Sequence, residues 1–367
     1  MVVHRWWEVC ATCGRVWGLD ELRWVCACGG LLDLIGPRSD PVASDRRPAD
    51  RYRSPLARYA PALPPGSGRV DLGLTVTPLL EVGRGTFVKC EFEQPTGSFK
   101  DRGAAVMIGA AAELGVTSVV VDSSGNAGKA AAAHAAAAGL RCTVYVPAGT
   151  APAKLEAITG YGARVLEVPG GRTETAAAAQ AALGTGSEHP WYASHVHQPV
   201  FHHGVKTLAF ELWEQLTRPP RGTDRGRPVE DATVVVPAGN GTLVLGLWLG
   251  FSELVAAGHL RRPPALVAVQ SERCAPLAGR RVDPAGPTTA AAGIAIPAPA
   301  RAAQVRGAVL ATGGRLVTVG EGEIEGAREH LDQLGWAVEP TAAVAWAAAD
   351  RLTGHRGGPV VALLTGR

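Results

Sequence analysis

The sequence predicts an α/β fold in which parallel sheets are covered by helices. Short β-branched strands alternate with helical runs along most of the chain, the pattern of βαβ units. Several of these strands run through a small polar or glycine-rich turn straight into a helix. At 367 residues, 46% hydrophobic and 19% charged, the composition is that of an ordinary globular protein with enough apolar side chain for one or two full cores. Ligands in such sheets sit beyond the carboxyl ends of the strands, so the strand–turn–helix junctions are the places to look for chemistry.

Taken in order, Thr86 to Glu91 reads as a strand and Phe99 to Leu114 as a helix. The β-branched run Ser118 to Val121 precedes an alanine-rich run from Lys129 to Ala138 that favours helix, although much of the alanine excess reflects codon composition. Cys142 to Val146 and Arg164 to Val168 are strands with a helix from Ala151 to Tyr161 between them, and Trp191-Tyr192-Ala193 is strand-like. Thr233 to Val236 leads into an apolar helix, Leu243 to Ala257. Leu266 to Gln270, Leu316 to Val319 and Val360 to Leu364 are further strands, with helices Ile324 to Leu334 and Ala342 to Leu352 in the gaps. Pro37 to Gly68 and Thr217 to Asp231, rich in proline and charge, read as surface segments.

Three junctions carry candidate chemistry. In Pro95-Thr96-Gly97-Ser98-Phe99-Lys100-Asp101-Arg102-Gly103 a lysine ends a glycine-and-hydroxyl turn and opens a helix. A lysine amine so placed forms a Schiff base with an aldehyde, for which pyridoxal phosphate is the usual protein-bound group; alone, a solvated first-turn lysine explains it as well. In Asp122-Ser123-Ser124-Gly125-Asn126-Ala127-Gly128 the free N–H groups of a helix start favour an anion, Ser123 and Ser124 suit a carboxylate, and Asn126 can donate to a phenolic oxygen. A plain polar cap is equally compatible with that loop. In Gly239-Asn240-Gly241-Thr242 two glycines permit close backbone approach and Thr242 adds a hydroxyl, which suits a phosphate. No Gly-Lys-Ser/Thr follows, so this is not a Walker loop.

Four of seven cysteines, Cys10, Cys13, Cys26 and Cys28, fall in the first 28 residues with the spacing C-x2-C-x12-C-x-C. Paired thiolates on two turns suit tetrahedral zinc, and a ribbon that folds without metal is the alternative. Cys90, Cys142 and Cys274 sit singly in apolar contexts and read as core. His195, His197, His202 and His203 crowd one segment ahead of Gly204-Val205-Lys206-Thr207 and read as substrate-side or structural groups in preference to metal ligands. A formal net charge of +3 with no long basic block argues against nucleic acid. The start lacks a signal-peptide core, and no apolar run crosses a membrane uninterrupted, so the expected location is the cytoplasm.

Together the three junctions resemble those of the fold type II, tryptophan-synthase-β-like pyridoxal phosphate enzymes, and within them threonine synthase and its relatives. The resemblance runs from Thr77-Pro78-Leu79 to Leu364-Thr365-Gly366. It implies two open parallel or mixed sheets flanked by helices and a small zinc-ribbon-like segment at residues 1–36. It implies a larger α/β domain of residues 37–89 and 200–367 with the phosphate loop, and a smaller one of residues 90–199 with the Schiff-base lysine. Lys100 would hold pyridoxal 5′-phosphate, Phe99 flank the ring, and Asn126 meet the pyridoxal 3′ oxygen. Gly239, Asn240, Gly241 and Thr242 would hold the phosphate, Thr365 would stand beside the pyridine nitrogen, and Ser123, Ser124, Gly125 and Asn126 would take the substrate carboxylate. A homodimer is implied as well.

Three positions depart from the threonine synthase pattern, each from polar to apolar: Ala127, Phe201 and Leu243. The expected activity is therefore a lyase or replacement reaction on an α-amino acid with a β or γ leaving group. The alternatives are a genuine threonine synthase acting on O-phosphohomoserine, and a catalytically inactive relative that binds the cofactor or a metabolite and regulates.

Overall fold

The computed structural model describes residues 6–42, 54–83, 85–183, 189–218, 228–280, 282, 289–352 and 358–367. These form two compact α/β units, the first drawn from residues 6–39, 54–74 and 100–204 and the second from 40–42, 75–99 and 205–367.

The first unit is built on a four-stranded parallel sheet in the order Arg164–Val168, Arg141–Pro147, Ser118–Val121, Trp191–Tyr192. Every residue of the central strand Ser118–Val121 is buried, as an unbroken β-branched run covered on both faces requires. The helices Lys100–Glu113 and Asn126–Ala137 pack together, and both are rich in buried alanines, Ala104, Ala105, Ala110 and Ala111 on one and Ala130 to Ala133 on the other. The alanine excess thus has a structural use here: it lets two helices approach closely beside the sheet. Ahead of these elements lies a three-stranded antiparallel sheet with Trp7–Cys10 between Val16–Gly18 and Leu32–Ile35. It joins the same unit, Trp6 standing edge-on to His203 at 5.0 Å and Trp24 edge-on to Tyr192 at 5.2 Å.

The segment Pro37 to Gly68 differs from the surface stretch expected of it. Residues 43–53 lie outside the described residues, but Pro55–Arg58 is a short helix and Leu56, Leu63 and, just beyond, Leu74 join Ala105, Val106, Ala110 and Val200 in one core. Three leucines among many prolines and arginines supply that burial, and they tie residues 54–74 to the smaller unit, not to the larger one.

The second unit carries a six-stranded sheet in the order Arg315–Val319, Ala265–Ser271, Thr233–Pro237, Val360–Leu364, Thr86–Cys90, Leu79–Gly83. All pairs are parallel except the last, which is antiparallel and makes the sheet mixed. Pro340–Leu352 is buried along most of its length against Val235, Val267 and Ala362. The other helices of this unit include Thr207–Thr217, Thr242–Ala256, Ala302–Ala311 and Glu321–Gln333. Within Thr217 to Asp231, residues 219–227 lie outside the described residues and Val229–Asp231 is a single 3-10 turn.

Two lysines are buried in this unit with their charges met. Lys89 Nζ donates to Thr77 O at 2.7 Å, Glu211 Oε2 at 2.7 Å and Gln215 Oε1 at 2.9 Å. Lys206 Nζ donates to Glu253 Oε1 at 2.7 Å, so the lysine of Gly204-Val205-Lys206-Thr207 is a structural pin. Among the described residues no helix is long and apolar enough to cross a membrane. Cys90, Cys142 and Cys274 are buried free thiols, as expected of core residues.

Candidate active site

Lys100 is the first residue of the helix Lys100–Glu113, and the chain just before it is held tightly. Gly97 turns at φ +85°, a left-handed conformation suited to glycine, and its N–H donates to Gln94 O at 2.7 Å. Ser98 then bridges antiparallel to Gly366, Phe99 N–H donates to Thr365 O at 3.0 Å, and Arg367 N–H donates to Gly97 O at 3.0 Å. The residues that follow the central strand Val360–Leu364 therefore fix the approach to the lysine. The Thr365 side chain is buried, and its hydroxyl oxygen has no hydrogen-bond partner among the described residues.

In the smaller unit the Lys100 ammonium lies 5.5 Å from the ring centroid of Phe201, which is fully buried. Phe201 packs flat against Gly103, where any Cβ would enter the ring, and a Cβ on Gly204 would run into the Arg102 carbonyl. Both glycines are thus needed for the segment ending at Gly204 to lie against the first turn of the lysine helix. His195 stands edge-on to the same phenyl ring at 5.8 Å. The histidine cluster does not converge on one point: His203 Nε2 pairs with Leu34 O at 3.0 Å, and His197 Nδ1 lies 3.2 Å from Ser194 Oγ.

The serine loop of this unit follows Ser118–Val121 and ends at Asn126, the first residue of Asn126–Ala137. Gly125 caps that helix without any side-chain hydrogen bond, which leaves N–H groups of the first turn for an anion. A Cβ on Gly128 would strike the Ser123 carbonyl, so the loop folds back closely over the helix start. Burial raises the Asp122 carboxyl above its ordinary pKa.

In the larger unit, Gly239, Asn240 and Gly241 link the strand Thr233–Pro237 to the helix Thr242–Ala256. Gly241 adopts φ +80° and its Cβ would collide with Val305; a Cβ on Gly239 would come 2.9 Å from Ile294 Cα. Backbone alone fits there, and it leads into a helix start whose capping residue, Gly241, has no side chain. Thr233–Pro237 and Val360–Leu364 are neighbouring parallel strands, so this loop and Thr365 lie at the same end of the sheet. A glycine turn at a helix start, the kind of place where phosphates bind, and a buried threonine hydroxyl at the same end of the sheet make a donor set that suits pyridoxal phosphate.

Comparison with known proteins agrees. The pyridoxal-phosphate dependent enzyme family matches residues 70–366. The chain belongs to that family. Within this pyridoxal-phosphate dependent family it is 32% identical to the threonine synthase of Methanocaldococcus jannaschii over 365 residues, which covers 94% of this chain and 86% of the relative. It is 31% identical to that of Methanosarcina acetivorans, with the same coverage. Solved structures of like fold include maize serine racemase, with TM-score 0.67, 23% identity and coverage of 86% of this chain and 92% of that one. Another is threonine deaminase isoform 2 from Solanum lycopersicum, with TM-score 0.66, 21% identity and coverage of 82% and 80%. The two open sheets flanked by helices are thus those of a fold type II pyridoxal phosphate enzyme of the threonine-synthase-like kind.

The cysteine-rich start forms a site of its own. The sulfurs of Cys10, Cys13, Cys26 and Cys28 all lie within 4.8 Å of one another. Cys10 Sγ is 3.5 Å from Cys28 Sγ, and Cys13 Sγ is 3.7 Å from Cys26 Sγ. Zn–S bonds of about 2.3 Å in a tetrahedron put sulfurs about 3.8 Å apart, so the spacing suits that ion. The Cys13 and Thr12 N–H groups point at Cys10 Sγ at 3.5 and 3.4 Å and push its thiol down to about 6, the Cys13 contact being the larger cause. Gly30 has no room for a Cβ, which would come 2.6 Å from that sulfur.

Proposed function

We propose that the protein is a pyridoxal phosphate lyase or replacement enzyme acting on an α-amino acid with a leaving group at Cβ or Cγ, and that β-substituted amino acids such as serine and threonine suit it better than O-phosphohomoserine. The observation that carries this reading is the placement of Lys100 directly after a segment hydrogen-bonded to the Thr365 carbonyl, the buried hydroxyl of the same residue having no partner among the described residues. When bound, the cofactor supplies an electron sink for negative charge at the substrate Cα. The chain supplies the rest. Lys100 would hold the cofactor and, once released from it, would supply an amine able to carry the Cα proton. Thr365 offers a neutral hydroxyl to the pyridine nitrogen, a milder partner than a carboxylate, which favours elimination over transamination. Gly239 to Thr242 hold the phosphate, Phe99 flanks the ring, Asn126 meets the 3′ oxygen, and Ser123, Ser124 and Gly125 join it on the substrate carboxylate.

Ala127, Phe201 and Leu243 offer no donors to a second phosphate, and all three are buried. Each lost charge-assisted bond typically costs about 1.5–3 kcal/mol, so two lost contacts lower selectivity for O-phosphohomoserine by roughly a hundredfold. A panel of amino acids assayed for ammonia, keto-acid and phosphate release should show a higher specificity constant for a β-hydroxy or activated β-substituted amino acid. Threonine formed from O-phosphohomoserine with the highest constant of the panel would make the chain a threonine synthase with a rebuilt pocket.

The same reading gives the cysteine site one structural zinc per chain, a homodimer of the 38.0 kDa chain and a cytoplasmic location. Protein purified without chelator should contain one equivalent of zinc. Its removal should shift the fluorescence of Trp24, which packs between Tyr192 and His197, while the visible absorption of the cofactor persists. Absence of zinc in such preparations would mean a ribbon that folds without metal.

A further inference from the structure

We propose that His195 is a specificity-determining residue whose buried Nδ1 receives the side-chain hydroxyl of a β-hydroxy amino acid, with Phe201 as the apolar wall beside it. The inference rests on the reading of the protein as an amino-acid lyase or replacement enzyme and names the substrate group that the smaller unit selects.

His195 and the Lys100 ammonium flank one phenyl ring, at 5.8 and 5.5 Å from Phe201. That ring cannot swing away, because it is fully buried and rests on Gly103. The lysine amine and an imidazole therefore both border one buried apolar ring. His195 Nδ1 is buried and has no hydrogen-bond partner among the described residues, unlike the Nδ1 of His197 and the Nε2 of His203. A buried polar nitrogen left open typically costs about 1–3 kcal/mol, a cost that a ligand atom removes.

The chemistry of the ring narrows the ligand. Burial first, and then the charges of Lys100 and Arg172, hold the imidazole well below its usual pKa, so it is neutral. In a neutral imidazole Nδ1 is a donor in one tautomer and an acceptor in the other, and a hydroxyl, which can give or take a hydrogen bond, matches either. A phosphate dianion needs charged donors, and neither His195 nor Phe201 supplies one. The wall formed by Phe201 suits the carbon to which that hydroxyl is attached.

The test uses the cofactor-loaded full-length chain and the change in its visible absorption as amino acids bind. L-Threonine is compared with L-2-aminobutyrate, which lacks only the hydroxyl. Wild type should bind threonine about tenfold more tightly, the scale of one good hydrogen bond. His195→Ala should erase that preference by weakening threonine alone, and His195→Asn should restore part of it. Both variants should stay folded and keep the wild-type cofactor absorption, since Nδ1 has no hydrogen-bond partner among the described residues. Equal weakening of both ligands, or wild type without any preference, would overturn the role of His195 and leave the enzyme reading in place. A cofactor band that answers to no amino acid would instead overturn the enzyme reading.

Discussion

Lys100→Ala should lower turnover by at least about a thousandfold while leaving the chain folded, because one substitution removes both the covalent hold on the cofactor and the proton carrier at Cα. The structural cost of the change is small. Lys100 is half-buried at the first position of its helix, where alanine is at least as good a helix former. The contact of its ammonium with Phe201 is worth about 0.5–1 kcal/mol. Purified wild-type protein should be yellow, and borohydride should fix the cofactor on the peptide that contains Lys100. A colourless protein that gains no visible band on addition of pyridoxal phosphate, or a label on another lysine, would sink the assignment. A Lys100→Ala variant that keeps turnover near wild type would do the same.

Much of the fold around the candidate site is legible in the sequence, because its strands and turns sit where local rules act. Ser118–Val121, Arg164–Val168 and Val360–Leu364 have the bounds that their β-branched runs imply. Gly241 and Gly97 turn where only glycine turns comfortably. The missing parts depend on tertiary burial. The strand Leu79–Gly83 is a mostly exposed antiparallel edge with little apolar alternation to announce it. The helix Ala302–Ala311 follows a proline-rich stretch that looks like loop, and Leu56, Leu63 and Leu74 are buried from within another. The approach of Phe201 and His195 to Lys100 spans about a hundred residues of sequence and leaves only an indirect trace: Gly103 and Gly204, whose missing side chains make room for it.

Glu211→Ala should destabilise the protein by about 3–5 kcal/mol, the usual result of stripping one partner from a buried ion pair. Lys89 and Glu211 side chains are wholly inaccessible and meet at 2.7 Å. The other two ammonium protons go to Thr77 O and Gln215 Oε1, so all three are placed. Gln215 Nε2 also donates to Thr77 O at 2.9 Å, and Thr77 Oγ1 donates to Glu91 Oε1 at 2.6 Å, which ties the strand Thr86–Cys90 to the helix Thr207–Thr217. Without Glu211 the lysine loses a carboxylate held at 2.7 Å in a site that water does not reach. Denaturant midpoints of wild type, Glu211→Ala and the double variant Lys89→Met/Glu211→Leu separate charge from packing. If the missing charge partner is the cause, the apolar pair should recover most of the loss, since uncharged side chains of similar size need no partner. A loss below about 1 kcal/mol in the single variant, the scale of an exposed pair, would show that the ammonium escapes to solvent. The effect should also reach the cofactor. Lys89 is paired in register with Leu363, two residues before Thr365, so loosening its strand disturbs the strand that delivers the Thr365 hydroxyl. Glu211→Ala should therefore hold pyridoxal phosphate less firmly on dilution than the double variant does, although neither position belongs to the proposed cofactor site.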